Sequence, residues 1–99
     1  GNIRADIYAN GSTIIIVGPA VVANTTYKCA VRYVSGSPRL VVNGVEYTST
    51  SIFTFSEALT DLGFSNFFYS GPRSNVFFGE IGFYPALTNA ELVALTTRP

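Results

Sequence analysis

The 99-residue chain is long enough for one domain, and its six acidic and six basic residues cancel. Charged residues make up only 12%, about half the share of typical soluble domains, and no basic run offers a nucleic-acid footprint. With no His and a single Cys, the chain excludes an intrachain disulfide, a Ser-His or Cys-His pair and an imidazole metal site.

Ile3 to Tyr8 alternates, with Ile3, Ala5 and Ile7 on one face and Arg4, Asp6 and Tyr8 on the other. This predicts a half-exposed strand. Asn10-Gly11 predicts a two-residue hairpin turn. Ser12 to Val17 returns through Ile14-Ile15-Ile16-Val17, a β-branched run that predicts burial on both faces. Gly18-Pro19 is expected to break this strand, and Ala20 to Thr26 to connect onward with apolar contacts at Val21 and Val22.

Tyr27 to Val34 predicts the next strand, with Tyr27, Cys29, Val31 and Tyr33 on one face and Lys28, Ala30, Arg32 and Val34 on the other. Cys29 is expected to pack as a small core residue. Ser35-Gly36-Ser37-Pro38 reads as a turn. Arg39 to Val42 pairs back, Asn43-Gly44 predicts a type I′ turn, and Val45 to Thr48 continues the meander. Such tight turns require antiparallel strands. After the polar linker Thr48 to Ser51, Ile52-Phe53-Thr54-Phe55 is either a short strand or a loop plugging an apolar site. A helical turn is one option for Ser56 to Leu59, and Leu59 to Phe64 reads as a strand. Ser65 to Asn75 is a loop containing Phe67-Phe68-Tyr69.

Val76 to Tyr84 predicts the last strand, rich in aromatic and β-branched residues. Pro85 ends it, because proline cannot donate to a sheet ladder. Thr88 fits a helix N-cap, and Glu91 stands three residues on, the spacing of a capping box. Leu92, Leu95 and Ala94 are expected to supply the short apolar face.

This final stretch, Gly79-Glu80-Ile81 with Phe83-Tyr84-Pro85 and then Leu87-Thr88-Asn89-Ala90-Glu91-Leu92, resembles the C-terminal end of concanavalin A-like (laminin-G-like) jelly-roll domains. It looks most like the form found in bacteriophage structural proteins. Tyr27 to Tyr33, Leu40 to Val45 and Leu59 to Gly63 resemble further strands of that family, in order, so the similarity spans most of the chain. It implies an all-β, antiparallel jelly-roll or β-sandwich with a short C-terminal helix, as a single domain over residues 1–99. Family members are longer. The expectation is therefore a C-terminal piece whose missing strands come from the rest of a longer chain or from a neighbouring subunit.

Related glucanases on this fold carry Glu-x-Asp-x-x-Glu on one strand. Asp6, Glu46, Glu57, Asp61, Glu80 and Glu91 do not form it, so no catalytic residues are assigned. No cofactor or metal is expected, as no Asp-x-Asp cluster occurs. The candidate contact residues are Asn66, Phe67, Phe68, Tyr69 and Arg73. Three consecutive aromatics cannot all point inward, and this loop either caps the core, meets a protein partner or stacks on sugar. Structural roles fall to Asn10, Gly11, Asn43, Gly44, Gly79, Pro85, Thr88 and Glu91. The resemblance implies a non-catalytic virion structural or adhesion module, such as a tail fibre, tail-associated or capsid decoration protein on the particle surface. Its partners would be other virion subunits, as a homo-oligomer or larger assembly. The alternative is a carbohydrate-binding module recognising a host glycan. A third reading is a fragment of a polysaccharide-degrading enzyme whose active site lies in absent sequence. No run approaches membrane-spanning length, so neither membrane insertion nor nucleic-acid binding is expected.

Overall fold

The computed structural model describes residues 2–9, 11–49, 54 and 82–97. Its described elements are β1 (Asn2–Ala9), β2 (Ser12–Ala20), β3 (Cys29–Arg32), β4 (Arg39–Val42), β5 (Val45–Tyr47) and α1 (Asn89–Thr96). β1 and β2 pair antiparallel; β3, β4 and β5 form an antiparallel sheet in that order. The described residues thus form two small antiparallel sheets with one short helix.

The β1-β2 hairpin follows its alternation. Ala5, Ile7, Ile14 and Ile16 are buried and cluster with Leu40 and Val42 of β4, so β2 lies across β4 and reaches β5. The expectation of burial on both faces is corrected. Ile15 and Val17 are exposed, because every second side chain of a strand points away from the sheet it packs on. Gly18-Pro19 does not end the strand either. The register steps from Arg4↔Val17 to Asn2↔Ala20, so two residues oppose Ile3 in a β-bulge, where a proline can sit within a strand. Asn2 Nδ2 donates to the Gly18 carbonyl at 2.8 Å and pins the bulge. Gly18 is also a point of close approach between the two sheets. A Cβ there would stand 3.0 Å from the Ile3 carbonyl oxygen and 3.1 Å from Leu40 Cδ2.

Val21 and Val22, expected as contacts, are both exposed in the β2–β3 connection. The Tyr27 hydroxyl holds that connection, accepting from Val22 N at 2.9 Å and lying 3.4 Å from the Ala20 carbonyl. β3 is shorter than the expected Tyr27–Val34, because the chain turns at its far end. Ser37 N donates to the Val34 carbonyl, and Gly36 takes φ +73°. Asn43 (φ 49°) and Gly44 (φ 81°) both lie in the left-handed region, the requirement of a type I′ turn. Asn43 also clamps the start of β3: its N donates to the Lys28 carbonyl, and its Oδ1 accepts from Lys28 N at 2.9 Å.

Helix α1 lies along β4 and touches β3 and β5. Leu40 and Val42 point to the hairpin, so the alternating Val41, also buried, points to the opposite face, the side α1 takes. The capping box is complete: Thr88 Oγ1 accepts from Glu91 N, and Glu91 Oε1 accepts from Thr88 N at 2.9 Å. The buried pair of the helix is Leu92 and Thr96, not Leu92 with Ala94 and Leu95. Residues four apart share a face, and Thr96 can be buried because its hydroxyl is satisfied. It donates to the Leu92 carbonyl at 2.9 Å and accepts from Gly44 N at 3.1 Å.

Candidate functional site

Of the contact residues read from the sequence, Asn66, Phe67, Phe68, Tyr69 and Arg73 lie outside the described residues, as do the structural candidates Asn10 and Gly79. So do Glu80 and the strands expected at Leu59–Phe64 and at residues 76–81. The remainder of the expected last strand is corrected: Gly82, Phe83 and Tyr84 are irregular and exposed. Gly11, Asn43, Gly44, Thr88 and Glu91 take the turn and cap positions expected of them, and Pro85 sits exposed before the helix.

The described residues next to the end of β3 and before α1 include three exposed aromatics. Phe83 is 72% exposed, Tyr84 54% and Tyr33 50%. Their placement comes from Arg32. Its Nε and one terminal nitrogen donate to the Ser37 carbonyl and hydroxyl, each at 2.9 Å, which fixes the β3–β4 turn. Its other terminal nitrogen donates to the Leu87 carbonyl at 3.0 Å. That bond brings the segment before α1 to the end of β3. Tyr33 adjoins Arg32 and Tyr84 is three residues from Leu87, so chain reach keeps both close to this anchor. Tyr84 is further ordered by folding its ring over Gly82, where a Cβ would stand 3.2 Å from Tyr84 Cε2.

The alternation that sets Tyr33 on one face runs back along β3. The hairpin lies over β4 and β5, and the β3 face carrying Cys29 and Val31 is left exposed. The expectation that Cys29 is a core residue is therefore corrected. The atoms crowded about its sulfur still push the thiol up, away from the thiolate a nucleophile needs. Arg32 is the charge that builds this region. The Arg4–Asp6 ion pair, 2.8 Å long, belongs to the outer face of the hairpin, and Arg39 faces Glu46 at 3.5 Å across β4 and β5. Among the described residues no three of His, Cys, Asp and Glu gather as metal ligands, and no helix is long and apolar enough to cross a membrane.

Exposed aromatic faces flanked by few charges suit contact with another apolar or C–H-rich surface. Sequence reading placed the aromatic contact in the 67–69 loop and assigned Phe83 and Tyr84 to a strand. The one signal for them was Pro85, which ends any ladder at their border. Arg32 was read only as one residue of the outer face of a strand; its link to Leu87 was not legible. Comparison of the chain with protein-family models, with curated proteins and with solved structures gave no match.

Proposed function

We propose that this chain is a non-catalytic structural or adhesion module of a bacteriophage virion, built as part of a concanavalin A-like jelly roll and engaging neighbouring subunits. The observation that carries the reading is the exposure of Phe83, Tyr84 and Tyr33 on a chain with so few charges. Burying such side chains against a partner removes apolar area worth about 25 cal/mol per Å², and aromatic enrichment marks the centre of protein interfaces. The jelly-roll part of the proposal is supported by the β2–β3 connection. It passes from one sheet to the other and is tied by the Tyr27 hydroxyl to backbone a few residues upstream, an arrangement also used at β-sandwich corners.

The test is the double variant Phe83→Ser/Tyr84→Ser. Its far-UV circular dichroism should match the parent, while self-association in sedimentation and incorporation into particles should fall. Normal incorporation with loss of signal on a glycan array would replace this reading with the carbohydrate-binding one. Loss of the fold would assign both rings to the core.

A further inference from the structure

We propose that Asn43-Gly44 is a self-modifying site, an asparagine poised for succinimide formation and deamidation, which the docking of α1 holds closed. The reaction needs the Gly44 backbone nitrogen to lose its proton to solvent and attack Asn43 Cγ. A C–N bond forms, the Cγ–Nδ2 bond breaks and ammonia leaves. Water, the only co-reactant, then opens the ring to aspartate or isoaspartate at position 43. Glycine after asparagine makes the attack easy, because no Cβ obstructs the ring.

In the folded molecule nucleophile and electrophile are held by different elements. Gly44 N–H is committed to the buried Thr96 Oγ1 of α1 at 3.1 Å. The Asn43 carboxamide is drawn the other way, its Oδ1 accepting from Lys28 N at 2.9 Å, while Asn43 N donates to the Lys28 carbonyl at 2.8 Å. The Lys28 bond polarises the carboxamide, so the electrophile is prepared and release of Gly44 N is the controlling event. That release is the undocking of α1. The aspartate product keeps the shape of asparagine, whereas the extra backbone methylene of isoaspartate would lengthen the turn whose Gly44 N–H must reach Thr96 Oγ1. The turn is therefore closed to modification while α1 is seated.

The test uses the intact chain, incubated at mildly alkaline pH and read by peptide mass spectrometry with isoaspartyl methyltransferase labelling. Peptide-level analysis separates Asn43 from the other Asn-Gly pair at Asn10. Thr96→Val, which keeps the shape and removes the acceptor, should speed modification of Asn43 by about fivefold to tenfold, the scale of one lost hydrogen bond. Thr96→Ser should stay at the parent rate. Should Thr96→Val fail to fold, the parent chain is compared in native buffer and in guanidinium chloride, and modification should be at least as much slower in the native state. Equal rates in parent and folded Thr96→Val, equal rates for Ser and Val, or a native rate equal to the denatured one would overturn the proposal.

Discussion

Gly18 shows how much one missing side chain contributes here. The bulge at Gly18-Pro19 brings β2 against both its partner strand and the second sheet, with the Ile3 carbonyl and Leu40 Cδ2 closing on the position a Cβ would take. Leu40 can rotate; the backbone oxygen cannot. Gly18→Val should therefore force the sheets apart and cost about 1–3 kcal/mol, the range for overpacking a close-packed interior. Urea unfolding measures it. An unchanged midpoint would mean that the sheets separate freely at this point.

Helix α1 has eight residues, too few to be stable alone in water, so its ends and docking face must hold it. Its N-terminus relies on the capping box. The hydrogen bond from Thr88 N, followed by that from the Thr88 side chain, holds Glu91 below the ordinary carboxylate range. A folded pKa below the unfolded one gives a contribution that is complete above the usual carboxylate value and is lost as pH falls through the depressed value. On acidification the first turn of α1 should loosen. Amide exchange at Thr88 and Glu91 followed through an acid titration would report it, and Glu91→Gln should remove most of the pH dependence. A first turn equally protected at both ends of the titration would contradict the box as a support. At the other end, Thr96 joins helix to turn, a role that its place in the sequence does not announce.

For the molecule as a whole, Arg32 is the joint between sheet, turn and helix approach. Arg32→Ala removes three hydrogen bonds from one planar group and should cost about 2–3 kcal/mol, given the strength of charge-assisted bonds. Arg32→Lys should recover only a part, since an ammonium cannot span the fork. Hydrogen exchange should show α1 and the 83–87 segment loosening before the β1-β2 hairpin. Loss of all elements together, or of none, would refute the assignment of a local joint. The same joint fixes the approach of the segment that carries Phe83 and Tyr84, so Arg32 variants should also weaken any association that depends on those two rings.

Short-range geometry was legible from the residues alone. The alternation of Ile3, Ala5 and Ile7, the left-handed turn at Asn43-Gly44 and the Thr88–Glu91 box each depend on neighbours a few positions away, so residue order determines them. Tertiary structure decided which faces are covered. Alternation shows that β3 has two faces, but only the placement of the hairpin over β4 and β5 leaves Cys29 and Val31 outside. The same holds for Ile15 and Val17, whose β-branched run is compatible with one covered face or two. Gly18-Pro19 reads as a break until a partner strand absorbs the extra residue as a bulge. Thr96 reads as a polar residue near a chain end until Gly44 N–H arrives from residues far away in sequence to satisfy it. In each case the deciding partner is long-range, and local pattern carries no information about it.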